Sequence, residues 1–119
     1  MIKVLTQIAW EWGCRCFGQD HMVTHNIRAL RFVEEAIELA QACGVPEHKA
    51  AKVVRIVYSR PAGSVLQEIG GSMVTLSILA RTLGYDVETA FDIEVRRCLM
   101  KEPAHFAKRN KEKIDLGLT

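Results

Sequence analysis

Three carboxylates within one helical turn, Glu34, Glu35 and Glu38 of "FVEEAIEL", carry the clearest chemistry in this chain. Like charges this close on a helix repel by roughly 0.2–0.5 kcal/mol per pair. One explanation is a solvated face, with Arg28 and Arg31 one turn upstream as partners. The other is a site for a hard cation. Mg²⁺ takes oxygen ligands in octahedral geometry and is commonly held by a few carboxylates with substrate phosphates and waters. Glu35 and Glu38, at i and i+3, are spaced to share such an ion. Glu68 on another helix supplies a third acid, in the way helix bundles build metal sites from facing helices.

The elements that must position these acids follow from apolar periodicity. Punctuation falls at Gly18–Asp20, Gly44–Pro46, Arg60–Gly63, Gly84–Asp86 and Pro103. Between these marks the apolar residues recur at helical spacing. Five helical segments result, at about 2–16, 22–43, 46–59, 63–83 and 86–101. "AKVVRIVY" (51–58) is rich in β-branched residues, but a lone strand would have no partner here, so it reads as helix. Segment 22–43 carries two apolar stripes, one through Val23, Ile27, Leu30, Val33 and Ile37, the other through Ala29, Phe32, Ala36 and Leu39. Together they predict a helix packed on most sides, with a narrow polar wedge holding the acids. The expected fold is all-α: one domain over 1–119, a compact bundle of about four to five helices, its core at about 20–101 and a basic C-terminal tail at 102–119.

In segment 63–83, Val65, Leu66, Ile69, Met73 and Leu76 form the expected core stripe. Glu68, Gly71, Ser72 and Thr75 share a different, small and polar face. The pair Gly70–Gly71 in "QEIGGSM" works against a helix, since each interior Gly costs roughly 1 kcal/mol relative to Ala.

"EEAIE" (34–38) followed by Glu68 resembles the EExxE…ExxD signature of the MazG-like, all-α nucleoside triphosphate pyrophosphohydrolases. The Thr24–His25 pair ahead of the acids and "LARTLGYDVETAFDIEVRRCLMK" (79–101) are similar to the same family, so the likeness spans roughly 20–101. It implies a helical unit working as a homodimer or homotetramer that hydrolyses (d)NTPs to the monophosphate and pyrophosphate. It also implies Mg²⁺, with Mn²⁺ as a substitute, held by Glu35, Glu38 and Glu68, with Glu34 and Glu38 as catalytic acids. The interval from Glu38 to Glu68 is slightly longer than the family's. Gly71 stands where the pattern has its last aspartate. Glu94 or Asp92 on the last helix can replace that ligand, with Glu94 preferred; alternatively the glycines make room for substrate or a further ion, or the protein binds nucleotides without turnover. A purely structural helical partner protein is the remaining reading.

Further residues have candidate substrate roles: His25 near the start of the acid helix, Arg60 in "SRPAG", Lys101 with Lys108 and Arg109 for phosphate charge, and Trp10 for base stacking or a subunit interface. Trp12 continues the Leu5–Ile8–Ala9 stripe and is expected in the core. The chain is 49% hydrophobic and 25% charged, which fits a soluble globular protein. A formal charge of +2 gives no argument for nucleic acid. No apolar stretch reaches the roughly 18 residues of a membrane span, and the N-terminal residues lack a signal-peptide pattern. Four cysteines without paired C-x₂-C spacing are expected to be reduced thiols in a cytoplasmic protein.

Overall fold

Each apolar-periodic segment forms a helix in the computed structural model, which describes residues 1–119. Seven helices follow one another: α1 Ile2–Phe17, α2 Gln19–Met22, α3 His25–Ala42, α4 Glu47–Tyr58, α5 Val65–Thr82, α6 Val87–Leu99 and α7 Pro103–Asp115. There is no β-strand, and "AKVVRIVY" lies within α4. No helix is long and apolar enough to cross a membrane. All four cysteines are free thiols.

The punctuation read from the sequence ends two helices by the same device. After α3, Gly44 at φ +87° lets its N–H reach the Gln41 carbonyl (2.9 Å) while Val45 N–H reaches Ala40 (3.0 Å). After α5, Gly84 at φ +84° repeats the pattern onto Arg81 (3.0 Å), with Tyr85 on Ala80 (2.8 Å). Both are paired six-to-one and five-to-two closures, which require a left-handed residue and so favour glycine. Asp86 then starts α6 by accepting hydrogen bonds from the Thr89 backbone (2.8 Å) and hydroxyl (2.9 Å). Those bonds hold the Asp86 carboxyl below its ordinary range.

Two departures from the sequence reading concern helix boundaries. The segment expected as one helix from 22 splits into α2 and α3. Thr24 breaks the run: its backbone is extended and its hydroxyl donates back to the Asp20 carbonyl (2.7 Å). The basic run read as a solvated tail is instead α7, opened by Pro103 in its first turn. Phe106 and Asn110, one turn apart on α7, are both buried.

Helix α1 is the centre of the packing, meeting α2, α6 and α7. Leu5 and Cys16 of α1, Met22, Ile27, Val95 and Phe106 make the buried apolar core. Trp12 stacks edge-on against both Phe17 (centroids 5.6 Å) and Phe106 (4.9 Å), an arrangement favoured by the ring quadrupoles. Outside this centre the chain forms two arms. The backbone of α4 meets only α3, and that of α5 meets only α6. The stripes expected to be core on α3 and α5 are open within one chain: Phe32, Val33, Ile37, Leu66, Ile69 and Met73 are all exposed. The chain therefore presents 9450 Å² to solvent, against about 6,500 Å² for a typical monomer of its mass.

A polar joint ties α3 to α7. Arg31 donates from Nε (3.3 Å) and Nη2 (2.9 Å) to the Asn110 side-chain oxygen, and from Nη1 to the Leu118 carbonyl (3.0 Å). With its oxygen so occupied, the Asn110 amide nitrogen donates to His21 Nδ1 on α2 (3.1 Å). Asn110→Ala orphans donors and an acceptor at a buried position and is expected to cost about 1–3 kcal/mol. Asn110→Asp, which keeps the acceptor for Arg31, loses less. Thermal and urea unfolding of the two variants would check that order, and an Ala variant as stable as wild type would show the joint to be dispensable.

Candidate functional site

A cleft of about 360 Å³ opens between α1, α3, α6 and α7. One wall carries Glu35 and Glu38 from α3 with Glu94 from α6; Arg28, Arg31, Arg97, Arg109 and Lys113 add five cations. Trp12, Phe17 and Phe106 form its apolar floor. The acids reach it because α3 presents i and i+3 positions along one edge. The α7 cations reach it because Arg109 and Lys113 flank buried Asn110 at one step and three.

The acids occupy different environments. Burial pushes the Glu35 carboxyl up from its ordinary value, and the charge of Glu38 adds to this. Glu94 and Glu34 push the same way and Lys113 opposes them. Glu94 is held by Arg97, which donates to it from Nη2 (2.6 Å) and Nε (2.9 Å), keeping its carboxyl below the usual range. A bidentate pair of this kind is a strong contact. Glu34 turns the other way, 3.4 Å from Lys113 Nζ and 3.7 Å from Arg31 Nη1, and so bridges α3 to α7.

On the cationic side, the Arg28 guanidinium lies over the Phe17 ring, 4.9 Å from its centroid. Its Nε and Nη2 are enclosed and have no hydrogen-bond partner. Burial and the neighbouring Arg31 both lower its pKa. Unpartnered donors beside an open cleft are groups an anionic ligand would satisfy.

The remaining residues singled out from sequence lie elsewhere. Glu68 is on α5, its carboxylate against Gly63 of the preceding loop, and α5 does not approach α3. His25 begins α3, Arg60 follows α4, Lys101 follows α6 and Trp10 is on α1; all four are exposed and none lines the cleft. Asp92 is engaged by Arg96 along α6 (3.2 Å). No group of three or more His, Cys, Asp or Glu side chains is placed so as to hold a metal ion. Glu35 and Glu38 remain as two crowded carboxylates without a cation bonded to either, a donor set that suits Mg²⁺ arriving with phosphate oxygens.

Sequence reasoning gave Arg28 and Arg31 only the role of solvated partners and missed Lys113. The available signal was their spacing: Arg28 and Arg31 lie one turn apart, as do Arg109 and Lys113, each pair on the helix edge nearest a buried residue. Comparison with protein-family models, with curated proteins and with solved structures gives no match.

The raised Glu35 carboxyl has a stability consequence. An acid that binds its proton more tightly when folded stabilises the fold at low pH, and that contribution is lost as pH rises through 4.5 to the raised value. Glu35→Gln is therefore expected to melt higher than wild type at pH 7, by roughly 0.2–0.5 kcal/mol for each relieved pair. The two should converge below pH 4. Melting curves between pH 3.5 and 8 would check this, and a variant less stable at neutral pH would contradict the crowding described above.

Proposed function

We propose that this chain is a Mg²⁺-dependent nucleotide pyrophosphohydrolase that converts (d)NTPs to (d)NMPs and pyrophosphate. The observation that carries the reading is the cleft itself, where two uncommitted carboxylates of an EExxE sequence face a bank of cations. A Mg²⁺–triphosphate needs both kinds of group. The resemblance of 34–38 and 79–101 to MazG-like enzymes supports the same substrate class. The protein works in this reading as a cytoplasmic homodimer or homotetramer.

The chain's own residues divide the task. Glu35 and Glu38 would hold the ion, whose charge would offset that of the phosphates and favour attack by water. Glu38 accepts the proton as water attacks the α-phosphorus. The bond from that phosphorus to the bridging oxygen breaks, and pyrophosphate leaves with its charge braced by Arg28, Arg109 and Lys113. Glu34, paired with Lys113, positions that cation. Glu94 lines the same cleft as Glu35 and Glu38, but its pairing with Arg97 keeps it from taking the place of the aspartate absent at Gly71 unless that pair opens. The sugar and base would lie toward Trp12 and Phe106.

A second reading, nucleotide binding without turnover, draws on the engagement of Glu94 by Arg97. Pyrophosphate release from a panel of dNTPs separates the two. Wild type with Mg²⁺ or Mn²⁺ is expected to turn over and to stop in EDTA. Glu38→Gln is expected to lose at least about 100-fold, the lower range for removing a positioned acid–base group. Nucleotide-raised melting temperatures without product would select the binding module, and neither effect would refute both.

A further inference from the structure

We propose that Arg97 exchanges partners: it caps Glu94 in the free protein and turns to the phosphates when a nucleotide enters the cleft, so that nucleotide and divalent cation bind in a linked way. Arg97 is then a positioning residue that acts through Glu94. The inference rests on the pyrophosphohydrolase reading for the identity of the anion.

The cations of the cleft differ in what holds them. Arg31 is bonded to Asn110 and to the Leu118 carbonyl, and Lys113 pairs with Glu34, so both are ties between α3 and the C-terminal residues. Arg28 lies against the Phe17 ring. Arg97 alone is bonded to a carboxylate that lines the cleft, through Nη2 (2.6 Å) and Nε (2.9 Å) to Glu94. Both partners stand on α6, at i and i+3. The other contact of the Glu94 carboxylate, the Cys98 thiol (3.7 Å), is on α6 as well. The pair therefore opens by rotation of two side chains, with no helix displaced. Its members are 48% and 57% exposed, and an ion pair so open to water is weakly held.

A phosphate competes for Arg97 on the same terms as the carboxylate. The guanidinium offers either one two parallel N–H bonds, and a triphosphate brings several charges where Glu94 brings one. Arg97 lines the same cleft as the other four cations, so an anion seated among them competes with Glu94 for it.

Losing the cap has an electrostatic consequence. Glu94 already acts on Glu35 as a like charge across the cleft, adding to the effects of burial and of Glu38. Uncapped, it presents its full charge beside two carboxylates that have no cation bonded to them. Crowding of that kind is relieved by a divalent cation, and carboxylate oxygens suit Mg²⁺ or Mn²⁺. Each ligand thus favours the other, and by linkage the two effects are equal in factor. With the cap closed, no three acidic, histidine or cysteine side chains are placed to hold an ion.

Binding measurements test the exchange without turnover. Mn²⁺ is titrated by electron paramagnetic resonance and a set of α,β-imido dNTPs by calorimetry. Arg97 and Glu94 are both exposed, so their substitution spares the core. Without nucleotide, Arg97→Met is expected to bind Mn²⁺ about fivefold more tightly than wild type, the upper value for an exposed ion pair. In EDTA the same variant is expected to bind the analogues more weakly. The enhancement of Mn²⁺ affinity by an analogue is expected to fall by the same factor of about five. In a Glu94→Gln background the Mn²⁺ gain is expected to vanish, which separates a freed carboxylate from the mere removal of a positive charge. Unchanged Mn²⁺ affinity in Arg97→Met, or a gain that persists with Glu94→Gln, would overturn the inference. A wild type that binds none of the analogues would overturn it together with the nucleotide reading. Linkage in a protein that never releases pyrophosphate would remove only the hydrolase reading, and turnover without linkage would remove only the exchange.

Discussion

Asn110 is buried among three helices with both ends of its amide engaged, the oxygen by Arg31 and the nitrogen by His21. This one uncharged group, with the Arg31–Leu118 bond and the Glu34–Lys113 pair, sets α7 beside α3. It gives Arg31 an acceptor without adding a second buried charge, which would raise the cost of desolvation. Because α7 is set here, Lys113 falls next to Glu34 and Arg109 falls at the cleft. A buried polar joint satisfied on both sides also discriminates between helix registers, since a slip of one residue would orphan each member. The electrostatics of the cleft are therefore a consequence of a joint that lies outside its chemistry.

The apolar core, by contrast, is small. Only eight of 119 residues are buried, and the apolar ones gather around α1. That limited burial has to offset the ordering of a whole chain. The long stripes on α3, α4 and α5 are amphipathic faces that stay open within one chain.

Much of the architecture was legible in the sequence because local physics decides it. The glycines at 44 and 84 stop helices where a left-handed residue is needed, and "AKVVRIVY" forms helix because no strand is there to pair with it. The gathering of Glu35, Glu38 and Glu94 at one cleft lay within reach of spacing arguments. What escaped depended on side chains with two characters. Residues 103–115 look like a solvated tail because Lys and Arg crowd 108–113, yet Phe106 and Asn110 are buried one turn apart on the helix they form. Periodicity also identifies an apolar face without naming the chain that covers it. For that reason α3 was expected to be packed on most sides, although within one chain Phe32 and Ile37 face outward.

The middle of α5 has a mechanical property. Two adjacent glycines remove side-chain bracing there, and the next hydroxyls bond back into the helix. Ser72 donates to the Glu68 carbonyl (2.8 Å), and Thr75 is shared between the carbonyls of Gly71 (3.0 Å) and Ser72 (3.2 Å). Back-bonded hydroxyls of this kind compete with the helical ladder and tend to bend it. Unlike α1, which packs on three helices, this one packs on α6 alone. It is the compliant rod of the molecule, with Glu68 at one end of its softest stretch.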